Sequence, residues 1–292
     1  MSSLDFLIWL ENLRNPVSDV IFGAASAMGS ERFYMALLLT VYLCVSHRFG
    51  FQLLVMFLLS AWGNAQLKWF FATARPFEVY PDQLHALNTD SALGNAFPSG
   101  HAQSAAVVWG LLATRARSRG GKIACILVIA LIAFCRLYLG VHWPADVIGG
   151  LLIGAGMLAG YLGLASAWQR RDWRLSHGEW WLVLTIATAL LFALGSENDT
   201  CLRATGAFFG TAVGYLLLER RGYDPSAPLA FQVVKVVFAL GLLLVMRHIG
   251  MDLVEGIPQA VALVYVATGI TGAYFLPVLY TWLGGRLQAS TP

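Results

Sequence analysis

The sequence predicts an all-α fold, a polytopic bundle of transmembrane helices, and three observations predict it. Apolar residues make up 58% of the 292 residues and charged residues only 12%, about half the charge of an ordinary globular domain. The apolar excess is gathered into runs such as LLLTVYLCV, ILVIALIAF, VIGGLLIGAGMLAGYLGLA and LVLTIATALLFAL, long enough with their flanks to cross a hydrocarbon core of about 30 Å. Basic residues collect in alternate connections between those runs. A soluble domain has nowhere to put so much apolar surface. In lipid an open backbone finds no hydrogen-bond partners, so the spans are helices.

The elements follow in order. The first residues, MSSLDFLIWLENLRNP, carry acids within their apolar stretch and lack a basic start. They read as an amphipathic interfacial helix with Trp9 at headgroup level, not as a cleavable signal. Pro16 to Met28 is short and rich in small residues, and both a re-entrant piece and a further span are open to it. Residues 1–30 are therefore set apart as an interfacial or re-entrant segment. Spans are expected at about 32–47, 51–72, 99–116, 122–139 and 143–168, within a core of residues 31–170. Residues 171–292 hold further spans at about 180–195, 201–219, 229–247 and 259–283. The predicted architecture is a six-helix core plus about four additional C-terminal spans.

The charge pattern orients the bundle. One side receives Arg48, then Arg115, Arg117, Arg119 and Lys122, then Arg170, Arg171 and Arg174, then Arg220 and Arg221, then Arg286. The other receives Lys68, Arg75, Arg136, Arg203 and Arg247. The basic excess marks the first side as cytoplasmic. Lys235 falls inside a span near its cytoplasmic end and is expected to snorkel to the interface. Cys44, Cys125 and Cys135 lie in apolar runs and Cys201 near an aqueous face, so no disulfide framework is expected.

Three clusters meet on the outer side. In KWFFATARP, Lys68 and Arg75 stand two helical turns apart and project from one side of a helix end. In PSGH, Ser99, Gly100 and His101 open the next span. In CRLYLGVHWPAD, Arg136 ends a span, and Pro144 suits the first turn of a new helix across which His142 and Asp146 meet. Three cations and the free N–H groups of a helix start ask for a multivalent oxyanion, most simply phosphate. Ser99 can donate its hydroxyl, and Gly100 lets the backbone approach. Two histidines divide into a nucleophile and a general acid. With Asp146 accepting the proton on one nitrogen of His142, the other is free to attack phosphorus. His101 then protonates the leaving group and later activates water. No cluster of carboxylates is available for magnesium, so neither metal nor cofactor is expected.

At these residues the chain resembles the type 2 phosphatidic acid phosphatase superfamily. The family pattern is Lys, six residues, Arg-Pro; then Pro-Ser-Gly-His; then Ser-Arg, five residues, His, three residues, Asp. The chain supplies Lys68 with Arg75–Pro76, then Pro98 to His101, then Arg136, His142 and Asp146. Cys135 stands where the family usually has serine, a difference in packing and not in the nucleophile. The resemblance covers about residues 50–165. It implies His142 as nucleophile, His101 as acid/base, and Lys68, Arg75, Ser99, Gly100 and Arg136 as phosphate ligands. It also implies metal-independent hydrolysis of a lipid phosphate or pyrophosphate: an isoprenoid pyrophosphate, foremost for a bacterial source, phosphatidate, phosphatidylglycerol phosphate or a sphingoid-base phosphate. The charge bias adds a site on the non-cytoplasmic side, facing periplasm or exterior in the plasma (inner) membrane, or a lumen. The partners expected are lipid and bilayer, not nucleic acid. A phosphotransferase using the same phosphohistidine and a lipid transporter or scramblase are the alternatives.

Taken singly, the residues have plainer readings: Arg75 as an interfacial anchor, His101 as a polar helix start. Together, at these spacings, they do not. Gly149, Gly150, Gly154, Gly156, Gly160 and Gly163 read as a close-packing face, not a phosphate loop. Trp168, Trp173, Trp180 and Trp181 read as an interfacial belt. In the long outer loop, Pro76 to Phe97, His85 and Glu78 are weaker candidates for substrate contact. The last four spans carry no chemistry; bracing, a wider lipid groove and a dimer contact are the roles open to them.

Overall fold

The computed structural model describes residues 2–92 and 94–289; the side chain of Arg286 lies outside what is described. Every regular element among the described residues is helical: α1 (Ser3–Asn12), α2 (Pro16–Ala27), α3 (Glu31–Thr40), α4 (His47–Phe71), α5 (Pro76–Val79), α6 (Gly100–Arg115), α7 (Arg119–Tyr138), α8 (Pro144–Arg170), α9 (His177–Gly195), α10 (Asp199–Arg221), α11 (Leu229–Leu253), α12 (Val261–Ile270) and α13 (Leu276–Ala289). Their starts carry capping chemistry. Ser2 and Asp5 form a reciprocal box on α1, Asn15 with Pro16 opens α2, Ser118 caps α7, Ser176 and Glu179 box α9, and Asn198 caps α10.

The chain divides into two compact units, one of Met1–Tyr34 with Gly63–Trp173, the other of Met35–Trp62 with Arg174–Pro292. Six stretches among the described residues are long and apolar enough to cross a membrane unaided: α7, α8, α9, α10, α11 and Pro258–Gly284. The bent pair Pro16–Ala27 and Glu31–Val45 makes a seventh if counted as one. The helices α4 and α6 occupy predicted spans but are not in that set. At 16 residues, α6 reaches only about 24 Å, and most of its surface, from Ala102 to Val108, is buried in protein.

In the first unit, α6 lies between α7 and α8. Gly150 and Gly154 make the second contact possible: a Cβ there would stand 2.5 Å from the carbonyl oxygens of Ser99 and Gln103. The close-packing face expected on α8 is therefore real at these two positions. Gly156, Gly160 and Gly163 have nothing within 4 Å. The N-terminal helix α1 buries Leu7 and Leu10 with Leu84 and leaves Trp9 51% exposed. Its outer partner is His85, whose N–H and ring nitrogen both meet the Glu11 carboxylate. That pairing gives His85 a tethering role between α1 and the outer loop.

In the second unit, α10 crosses α12 at close range. A Cβ on Gly206 or Gly210 would lie 2.2 Å from the carbonyl oxygens of Ala262 and Val266, so only glycine allows this approach. Two expectations are corrected here. Lys235 does not snorkel: it is 2% exposed, and its ammonium donates to Leu43 O at 3.1 Å, Pro225 O at 3.0 Å and the Tyr223 hydroxyl at 3.4 Å. The helical break at Val41–Val45 and the loop before α11 supply these acceptors inside the protein. Cys201 is fully buried beside Trp62, not on an aqueous face, because α10 turns it inward against the end of α9.

Candidate active site

All eight residues singled out from the sequence fall in the first unit: Lys68 and Arg136 in the last turns of α4 and α7, Arg75 as the N-cap of α5, and the others at the starts of α6 and α8. Because α4 ends at Phe71, Lys68 and Arg75 do not project from one helix end as expected but meet at the carbonyl of Asn95. The chain reaches His142 from Arg136 through Gly140, whose φ of +71° closes α7; a side chain there would be strained. After this turn Trp143 and Pro144 start α8. The Asp146 carboxylate reaches back to accept the Trp143 N–H at 2.8 Å and stands 3.3 Å from His142 Nδ1. Nδ1–H therefore donates to Asp146, and Nε2 is the nitrogen left with a lone pair. That nitrogen lies 3.3 Å from Arg75 Nη1.

The cations are held by backbone carbonyls. Arg75 is buried and donates to Gly94 O and Val141 O, each at 2.8 Å, and to Asn95 O at 3.4 Å. Lys68 Nζ donates to the same Asn95 carbonyl, while the Asn95 amide returns a hydrogen bond to Lys68 O at 2.7 Å. Glu78, one of the weaker candidates, accepts the Arg75 N–H at 2.8 Å and starts α5. It supports the arginine's backbone. Arg136 is fully buried, with Nη1 donating to Ser26 Oγ at 2.7 Å.

The Pro98–Gly100 turn is pinned from two sides. Asn64 Nδ2 donates to Pro98 O at 3.2 Å and to Gln103 Oε1 at 2.9 Å, and Ser99 N–H donates to Asp146 O at 3.0 Å. Gly100 approaches Asn64 so closely that a Cβ would lie 3.1 Å from its side-chain oxygen. The Ser99 hydroxyl is buried and has no hydrogen-bond partner among the described residues. Such a group costs stability, and a donor to a bound oxyanion is what its position allows.

Electrostatics joins the parts. Burial, then the positive Arg136, Arg75 and Lys68, then His101, pushes the His142 imidazole well below the usual histidine range. Both imidazoles and all three cations thus act on one another. Burial also lowers Arg75 from the ordinary arginine value, against the pull of Glu78 and Asp146. The result is a buried group of cations around an imidazole whose Nε2 lone pair accepts from Arg75 Nη1. Among the described residues, no group of three or more His, Cys, Asp or Glu side chains gathers as a metal site.

Sequence reasoning missed Asn64, Asn95, Gln103, Ser26 and Gly29. The first three act through amides and carbonyls with no spacing signature. Ser26 sits in the small-residue stretch Pro16 to Met28, and Gly29 directly after it.

Residues 49–174 match the model described as "PAP2 superfamily", and residues 202–289 match "PAP2 superfamily phosphatase, transmembrane extension". The chain is 29% identical over 178 residues to glucose-6-phosphatase 3 of Homo sapiens, covering 52% of this chain and 50% of that one. It is 33% identical over 114 residues to undecaprenyl-diphosphatase of Sulfolobus acidocaldarius, covering 38% and 52%. Among solved structures, a PAP2-type phosphatidylglycerolphosphate phosphatase from Bacillus subtilis gives a TM-score of 0.49 at 21% identity, covering 60% of this chain and 87% of that one. The chain spans about half the length of the curated relatives named here.

Proposed function

We propose that this chain, which belongs to the PAP2 superfamily, is a membrane phosphatase that hydrolyses a lipid phosphate or pyrophosphate through a phosphohistidine. The observation that carries this reading is the His142 ring: Nδ1 donates to Asp146, and Nε2, unprotonated, accepts from Arg75. In the first step Nε2 attacks phosphorus and the bond from phosphorus to the leaving oxygen breaks. His101 delivers the proton that the leaving oxygen takes up. In the second step water attacks the phosphohistidine, passing a proton to His101, and the P–N bond breaks. Lys68, Arg75 and Arg136, the Ser99 hydroxyl and the first N–H groups of α6 receive the charge on the non-bridging oxygens.

Lipid is the favoured substrate class because the site adjoins exposed apolar side chains. Trp69, Phe70 and Phe71, directly after Lys68, are 66%, 72% and 46% exposed, a surface suited to the bilayer. Among the relatives, one name specifies a sugar phosphate and another a polyprenyl diphosphate, so the tail is the point to test. The excess of arginine in the connections opposite the site supports an opening on the non-cytoplasmic side.

The test is phosphate release from a panel of phosphatidate, phosphatidylglycerol phosphate, sphingoid-base phosphate, isoprenoid pyrophosphate and glucose-6-phosphate, run beside His142→Ala. Release from a lipid member, lost in the variant, is the expected result. Turnover of glucose-6-phosphate alone would overturn the lipid assignment, and undiminished release by His142→Ala the mechanism.

A further inference from the structure

The residues matched to the PAP2 superfamily model begin at 49, yet two residues far upstream touch the groups that act on phosphate. Ser26, near the end of α2, is 3% exposed and accepts the Arg136 Nη1 hydrogen at 2.7 Å. Gly29, three residues on and in the turn that ends the helix, faces the other imidazole. A Cβ on Gly29 would lie 2.7 Å from His101 Cδ2, 3.3 Å from His101 Cβ and 2.8 Å from Ile132 Cγ2. No side chain fits there unless the histidine moves.

From these contacts we infer that the Ser26–Gly29 turn is a positioning wall of the catalytic site, Ser26 aiming Arg136 and Gly29 setting the ring of His101. The inference rests on the phosphatase reading above. The wall is placed by α2, which packs against α7. Its register on α7 is fixed further back, where the Tyr138 hydroxyl lies 2.7 Å from both Ser18 Oγ and Asp19 Oδ1. Arg136 and Tyr138 are two residues apart, so one helix end is gripped at two points along α2. A long arginine side chain has many rotamers, and a hydrogen bond from its cation to a buried hydroxyl selects one. An imidazole that must give up and regain a proton needs a fixed ring plane; the flat surface of a glycine supplies it where no side chain can.

The experiment uses full-length protein in detergent, with Ser26→Ala, Ser26→Thr and Gly29→Ala. Two properties are read: steady-state kinetics on the lipid phosphate that wild type turns over fastest, and thermal stabilisation by orthovanadate, which needs no turnover. Ser26→Ala is expected to raise KM and weaken vanadate binding about tenfold, the loss of one charge-assisted hydrogen bond, with the pH profile unmoved. Ser26→Thr, which keeps the hydroxyl, restores most of the affinity. Gly29→Ala is expected to lower kcat about tenfold or more and to shift the pH limb set by the proton donor, with vanadate binding changed less than twofold. The inference is overturned if both alanine variants match wild type within twofold. It is also overturned if they lose only folded protein, so that rates scale down while vanadate affinity and pH profile stay put. The phosphatase reading fails separately: wild type would then release no phosphate from any substrate, or His142→Ala would release it undiminished, while the vanadate measurement still reports on Ser26.

Discussion

His142 Nδ1 stands 3.3 Å from Asp146 Oδ2, one helical turn away, and that oxygen also accepts the Trp143 N–H that starts α8. The carboxylate is therefore held by the helix it begins and in turn fixes which imidazole nitrogen carries the proton. Asp146→Asn keeps the shape but can present an amide donor to Nδ1, which favours the tautomer with its proton on the attacking nitrogen. We expect kcat to fall on the order of 10³-fold to 10⁴-fold, as for other carboxylate-oriented histidines, with the fold retained. Rapid-quench measurement of an acid-labile phosphoenzyme checks this. Undiminished formation in the variant would remove Asp146 from the mechanism.

The pH dependence follows from the depressed His142. The proposed nucleophile must be neutral, and burial among Arg136, Arg75, Lys68 and His101 keeps it so well below the usual histidine value. In the unfolded chain the ring titrates near its ordinary value, about 6.5. Between those two values the unfolded chain binds the extra proton and the folded one does not, so stability rises with pH across that window and is lost as pH falls through it. The acid limb of kcat/KM that reports free enzyme is accordingly expected below about pH 6.5. Arg75→Gln removes one cation and should move that limb upward whatever it does to the rate. A limb above 6.5 in wild type, or one unmoved in the variant, contradicts the electrostatic account.

These two properties differ in how openly the sequence displays them. The spacing of His142 and Asp146 around Pro144 is a helix-start pattern, legible before any fold is known. The two helical turns counted between Lys68 and Arg75 are not there, because α4 ends at Phe71 and Arg75 is the extended N-cap of α5. Hydropathy marks α7 to α11, each with an apolar stretch long enough to cross a membrane. It says less where protein replaces lipid. The short helix α6 is buried by its neighbours, and Lys235 satisfies its charge on carbonyls that come from distant parts of the chain. Asn64 and Asn95 hold the motif loops through bonds spanning 34 and 27 residues. Ser26 reaches Arg136 across 110. Contacts of that kind leave no periodicity to read.

The glycines of α8 give a paired prediction. Gly150→Ala puts a methyl group 2.5 Å from the Ser99 carbonyl, and backbone cannot step aside as a flexible side chain can. Overpacking of this kind costs roughly 1–3 kcal/mol, and here the displaced backbone carries the Ser99–Gly100 turn. Both thermal stability in detergent and phosphate release should fall. Gly156→Ala, with nothing within 4 Å, should leave release unchanged and stabilise the helix by up to about 1 kcal/mol. Equal behaviour of the two variants would mean that α6 and α8 are not in the close contact described.

Ser99 separates folding from function most sharply. Its hydroxyl is buried without a partner among the described residues, so in the free protein it contributes a desolvation cost and no bond. Removing such a group relieves that cost of about 1–3 kcal/mol, set against the loss of a few packing contacts. Ser99→Ala should therefore melt no lower than wild type, and higher if relief outweighs packing. Phosphate binding runs the other way: the hydroxyl finds its acceptor only on an oxyanion, so orthovanadate affinity and kcat/KM should both drop about tenfold. A structural serine gives the opposite pair of results, a lower melting temperature with vanadate affinity intact. Thermal unfolding of both proteins with and without orthovanadate distinguishes the two outcomes in one experiment.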